Sequence, residues 1–144
     1  MTTPVATVLI VDDNPSDIDF VQEAFAELSL GSEFLVAKDG VEAIALLQRV
    51  IANEVARPSV ILLDLNMPRV GGLEVLAFIK GASEARAIPT VILTSSSSPK
   101  DRADCLAAGA DAYLTKPRTL EQLNALVMQI DAMIKPRADR PGLQ

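Results

Sequence analysis

The sequence predicts an α/β fold of the doubly wound type, a five-stranded parallel sheet covered by helices on both sides. Two observations carry this. Five short runs rich in Val, Ile and Leu recur along the 144 residues, TVLIV (7–11), EFLVA (33–37), SVILL (59–63), TVILT (90–94) and AYLT (112–115). Three of them are apolar nearly throughout, which suits strands buried on both faces. Segments with helical spacing separate the runs, and strict alternation of the two kinds implies right-handed crossovers and parallel strands.

The helices follow in order. Ile18, Val21, Phe25 and Leu28 mark one face of the first, and Val41, Ile44, Leu47 and Ile51 mark one face of the second. Asn14-Pro15 and Ser98-Pro99 each set a capping side chain before a proline suited to the first helical position, opening the first and fourth helices. The third is expected from Gly72 to Lys80, with Gly81 near its stop. Thr119-x-x-Gln122 reads as a capping box for a last helix whose inner face is Leu123, Leu126, Val127, Ile130 and Ile134. The run Ser95 to Ser98 is then a loop leading into the fourth helix rather than a linker.

Length and composition narrow the function. The chain matches one ordinary domain, with a core over about 5–134 and a tail over 135–144 too short for an output domain. A net charge of −6 and a pI near 4.6 disfavour nucleic acid and anionic membranes as direct partners. No run approaches the roughly 20 apolar residues that span a bilayer, and no basic segment leads an apolar one at the N-terminus, so a cytoplasmic location is expected. The single cysteine, Cys105, agrees with a reducing compartment. Histidine is absent, which removes the usual general base and the commonest metal ligand. Chemistry must rest on carboxylates, hydroxyls, lysine and backbone.

In doubly wound sheets, ligands bind beyond the carboxyl ends of the strands, where strand order reverses. Asp12 and Asp13 follow the first strand, Asp64 the third, Thr94 and Ser95 end the fourth, and Lys116 follows the fifth. Singly, each has a plainer reading: a turn former or helix cap, a strand threonine, a solvated lysine. Together they would converge on one crevice. Two unit charges about 4 Å apart repel by roughly 4 kcal/mol at an effective dielectric near 20, so three clustered carboxylates should bind a cation or shift their pKa values. With oxygen ligands alone, a hard cation such as Mg²⁺ fits best. A metal, a lysine, a hydroxyl and a nucleophilic carboxylate make a phosphoryl-transfer site.

Through IVDDN (10–14), DGVEA (39–43), LLDLNMPRVGG (62–72), IPTVILTS (88–95) and GADAYLTKP (109–117), the sequence resembles a response-regulator receiver domain of two-component signalling, which has the flavodoxin-like (βα)5 fold. The resemblance implies that Asp64 accepts a phosphoryl group from the phosphohistidine of a sensor histidine kinase. It implies Mg²⁺ ligation by Asp13, Asp64 and the backbone carbonyl of Asn66, with Asp12 acting through water. Lys116 would pair with the phosphoryl group and Thr94 would hydrogen-bond it. Tyr113 would move inward as Thr94 is drawn to it, and the Lys116–Pro117 peptide bond would be cis. Phosphorylation would then change the partners of the surface formed by the fourth helix, fifth strand and fifth helix, a switch rather than a metabolic enzyme.

VDDNPSD (11–17), DLNMPR (64–69) and a long second helix resemble the single-domain regulators that accompany bacterial phytochromes, so a bacteriophytochrome kinase and a downstream protein target are the expected partners. A homodimer through Leu106, Tyr113 and Leu120 stays open. Two departures stand out: Gly71 replaces the usual Asp or Asn and should loosen its loop, and Arg118 replaces a common aromatic. Asn66 and Ser96 occupy positions expected to influence water access. The alternatives are an aspartyl-phosphate phosphatase, which would carry a second acid where Asn66 stands, and a receiver fold used only for docking.

Overall fold

The computed structural model describes residues 6–28 and 33–134; the tail expected over 135–144 lies outside the described residues. Strands and helices alternate: β1 (Thr7–Val11), α1 (Pro15–Glu27), β2 (Glu33–Ala37), α2 (Gly40–Ile51), β3 (Val60–Leu63), α3 (Gly72–Gly81), β4 (Thr90–Thr94), α4 (Pro99–Ala107), β5 (Ala112–Thr115) and α5 (Leu120–Ile134). The sheet is parallel throughout in the order β2-β1-β3-β4-β5. Strand order therefore reverses at β1, whose neighbours are β2 on one side and β3 on the other.

The layers follow from strand parity, since successive side chains point to opposite faces. Val8 and Ile10 join Val60, Leu62, Val91 and Leu93 in one core, sealed by α1 and α5 through residues such as Val21, Phe25, Leu123 and Val127. Leu9 and Val11 join Ile61, Leu63 and Ile92 in the other, sealed by α2, α3 and α4 through Leu47, Leu76, Ile79 and Cys105. β1, β3 and β4 are buried on both faces, which is why their sequences show no polar alternation. Phe25 of α1 meets Phe34 of β2 edge-on, with ring centroids 5.6 Å apart.

The helix starts are held by the expected side chains. Asn14 Oδ1 accepts from the N–H groups of Ser16 and Asp17, and Ser98 Oγ accepts from that of Asp101. Thr119 Oγ1 accepts from Gln122 N–H at 3.1 Å, but Gln122 Oε1 reaches back to the N–H of Arg118 rather than of Thr119, a box widened by one residue. The Gly71 loop is tied down, with Gly71 N–H donating to Glu74 Oε1 and Gly72 N–H to the Leu65 carbonyl.

Two expectations are corrected. β3 begins at Val60 rather than Ser59, although Ser59 N–H already donates to the Thr7 carbonyl at 2.7 Å. In α2 the buried face is Gly40, Ala43, Leu47 and Val50, and Val41 is 50% exposed. The cause is Gly40: a Cβ there would overlap the carbonyl and side chain of Val70, so this bare position must face the loop after β3, and it rotates the helix away from its Val41 edge.

Candidate functional site

Ladder hydrogen bonds run one residue past the strands at the edge where strand order reverses. Asp12 N–H donates to the Ala37 carbonyl (3.1 Å), Asp64 N–H to that of Val11 (2.9 Å), and Lys116 N–H to that of Thr94 (2.7 Å). Three site residues thus leave from backbone that the sheet itself fixes, flanking the β1/β3 switch point where such folds bind ligands.

Asp12 and Asp64 are buried, at 5% and 6% exposure, while Asp13 is exposed. Each offers a carboxylate oxygen, and these oxygens lie within 4.8 Å of one another. Asp12 Oδ1 accepts from Asn14 N–H at 2.9 Å, and its Oδ2 lies 2.9 Å from Lys116 Nζ. The same ammonium is 2.7 Å from Asp17 Oδ2 and 3.6 Å from Asp64 Oδ2. Beside the carboxylates opens a cleft of about 480 Å³, lined by Asp13, Asp17, Asp64, Asn66, Lys116 and Arg118 among others.

Burial raises the pKa of Asp64 above the ordinary carboxylate value and the Asp12 charge adds to this, against Lys116 and the N–H groups of Asn66 and Leu65. For Lys116, burial disfavours the ammonium, but hydrogen bonds to Asp17 and Asp12 and the charges of Asp12 and Asp64 outweigh it, and its pKa is raised. The lysine is therefore a fixed positive charge. All-oxygen donors, two buried and one open to the cleft, fit a hard divalent cation that keeps part of its water shell.

The remaining expected residues fall in two places. Ser95 lines the cleft, whereas Thr94 is fully buried behind it and its hydroxyl oxygen accepts from Ser96 N–H at 3.3 Å. Tyr113 is already inward: the ring is buried and its hydroxyl donates to the Ser96 carbonyl at 2.8 Å. Ser96 also donates its own hydroxyl to Asp101 Oδ2 at 2.6 Å, joining Thr94, Tyr113 and α4 through one residue. Of the apolar trio on that face, only Leu106 and Leu120 are exposed. The Lys116–Pro117 bond is not cis, for the described residues contain no cis peptide bond. The trans form is the intrinsic preference of an X–Pro bond, by roughly 0.5–1 kcal/mol.

Two residues escape the sequence reading. Asp17 reaches the lysine from the first turn of α1, and its signal was only an acid one turn past the Asn14 cap. Arg69, in left-handed backbone at φ 66°, pairs with Asp39, the N-cap of α2, and ties the loop after Asp64 to the neighbouring β2–α2 junction. Burial opposes ionisation of Asp39, but the Glu42 N–H acts most strongly and, with Arg69, lowers its pKa.

Residues 8–128 match the response regulator receiver domain family. The response regulator Rcp1 of Synechocystis sp. is 36% identical over 132 residues, covering 91% of this chain and 90% of its own. The crystal structure of the phosphorylated cyanobacterial phytochrome response regulator RcpA superposes with a TM-score of 0.81 at 36% identity, covering 89% of this chain and 92% of that one. The Mn²⁺-bound form of Rcp1 gives 0.78 at 36% identity, covering 88% and 92%. With this match spanning most of the fold and the acidic edge described above, the chain belongs to the response regulator receiver domain family.

Proposed function

We propose that this response regulator accepts a phosphoryl group on Asp64 from the phosphohistidine of a sensor histidine kinase and thereby switches its protein partners. The observation that carries the reading is the placement of Asp64 at the end of β3, its carboxylate within 4.8 Å of those of Asp12 and Asp13 and 3.6 Å from Lys116, beside an open cleft. An Asp64 oxygen forms the new O–P bond, the P–N bond to the imidazole breaks, and the electron pair leaves on the imidazole nitrogen. No separate base is needed when the attacking carboxylate is ionised.

Mg²⁺ is the ion that suits this oxygen donor set; Asp13, Asp64, the Asn66 carbonyl and, through water, Asp12 would hold it, and it would supply neutralisation of charge on the phosphoryl oxygens. Lys116, 3.6 Å from Asp64, would supply the second positive charge. The Thr94 hydroxyl would donate to the phosphoryl group on Asp64, and since its oxygen accepts from Ser96 N–H while Ser96 also bonds Tyr113 and Asp101, its movement would reach the face of α4, β5 and α5. This face, where Leu106 and Leu120 are exposed, serves the downstream protein or a second copy of the chain. Among the described residues no helix is long and apolar enough to cross a membrane, and a cytoplasmic switch is the matching location. That RcpA is a cyanobacterial phytochrome response regulator supports a phytochrome-type kinase as the donor. Asn66 offers no second acid for repeated turnover, which weighs against a phosphatase.

Incubation with acetyl phosphate and Mg²⁺ should add one phosphoryl group to the intact mass of the wild type and none to Asp64→Asn. A wild type that stays unmodified, or a variant labelled as readily, would sink the proposal.

A further inference from the structure

The bond between Asp17 and Lys116 is the shortest the lysine makes, and it comes from outside the acidic trio. An ammonium has three donors. Asp17 Oδ2 at 2.7 Å and Asp12 Oδ2 at 2.9 Å take two, while Asp64 Oδ2 at 3.6 Å lies beyond hydrogen-bond range. Asp17 does not owe its own place to the lysine. Its N–H is held by Asn14 Oδ1 at 3.4 Å, and a carboxylate in the first turn of α1 is favoured by the helix dipole. Its side chain is about one-third exposed, at 34%, so the pair is not forced together by burial.

We infer that Asp17 is a positioning residue: with Asp12 it holds the Lys116 ammonium so that the third N–H is left for the phosphoryl group arriving on Asp64. The inference rests on Asp64 being the acceptor. Lysine is a flexible four-carbon stem ending in a point charge, and anchored by Asp12 alone it would be drawn to the nearest other carboxylate, that of Asp64 itself. There it would screen the nucleophile and compete with the cation for the same oxygens. Asp17 pulls the ammonium to the side of the cluster, ready but not in the way, so little rearrangement remains for the moment of transfer.

The test compares wild type, Asp17→Asn, Asp17→Glu, Lys116→Ala and the Asp17→Asn/Lys116→Ala pair. Two readouts are the rate of phosphorylation by acetyl phosphate with Mg²⁺ and the ¹⁵N spectrum of lysine ammonium groups without a phosphodonor. Asp17→Asn should slow phosphorylation by about tenfold when Lys116 is present and by less than about twofold when it is absent. Asp17→Glu should recover part of the rate. The slowly exchanging ammonium signal of Lys116 should be present in the wild type and lost in Asp17→Asn. A merely structural role would give the same loss in both backgrounds, and a pure charge effect would speed the reaction in both; either overturns the inference. So does a Lys116 ammonium signal that survives Asp17→Asn, which decides the matter even if Lys116→Ala reacts too slowly to measure. A labelled wild type with an unchanged Asp17→Asn overturns the inference alone, whereas an unlabelled wild type overturns the acceptor assignment and the inference with it.

Discussion

Replacing Asp64 by asparagine should make the metal-free protein more stable. At 3.6 Å, Lys116 attracts the Asp64 charge by about 4.6 kcal/mol at an effective dielectric near 20, and Asp12, within 4.8 Å, repels it by at least about 3.5 kcal/mol. The exposed Asp13 adds a smaller repulsion, so the Coulombic contributions nearly offset. What remains is the cost of stripping water from a carboxylate that is 6% exposed, which the N–H groups of Leu65 and Asn66 only partly recover. Asn keeps the shape and loses the charge, so Asp64→Asn should gain roughly 1–2 kcal/mol near pH 7.5, seen in urea unfolding with EDTA. The sign with pH follows from the raised pKa of Asp64: the wild type recovers stability as pH falls through that value, and the advantage of the variant vanishes below the unfolded value of about 3.9. Saturating Mg²⁺ should reverse the order, because the wild type retains a ligand the variant lacks. A variant less stable than wild type in EDTA, or a gain that persists unchanged into acid, would refute the reasoning.

Other perturbations probe the frame around the site. Gly40→Ala, whose Cβ would lie 2.7 Å from Val70 Cβ and overlap the Val70 carbonyl, should cost about 1–3 kcal/mol in thermal or urea unfolding, whereas Gly81→Ala, with nothing within 4 Å, should be stabilising by about 0.5–1 kcal/mol. Asp39→Ala should lower the melting temperature at neutral pH, with the deficit closing as pH falls through the depressed pKa of Asp39, because the wild-type carboxylate then protonates and releases the Glu42 N–H and Arg69. Asn14→Ala should cost about 1 kcal/mol through loss of the α1 cap and, by loosening the turn that carries Asp17, also weaken the Lys116 ammonium signal.

The sheet was legible because burial on both faces leaves an unmistakable apolar run, and its carboxyl edge was legible because topology alone sends the ends of β1, β3, β4 and β5 to one place. Asp12, Asp13, Asp64 and Lys116 needed no further information than that. Asp17 was invisible for the opposite reason: it belongs to a helix, and which first-turn acid faces the crevice depends on how α1 lies on the sheet. The α2 face was read only in part: Leu47 is buried and Ile44 packs against the core, but Val41 is apolar at good spacing and exposed, because the close approach of Gly40 to Val70 decides the rotation. The Arg69–Asp39 pair, and the contact from Tyr113 of β5 to the Ser96 loop, are long-range contacts set by tertiary structure and carried by no local pattern. The cis bond came from resemblance and not from residues, and the trans form stands in its place.

The phosphoryl switch requires Asp64 to be the group that is modified. The most direct measurement is reductive trapping of the acyl phosphate with borohydride after acetyl phosphate treatment, followed by peptide mapping. The predicted result is a single reduced residue at Asp64, dependent on a divalent cation. Modification at Asp12, Asp13 or Asp17 instead, or a phosphoryl group on a serine of 95–98 that resists borohydride, would contradict it.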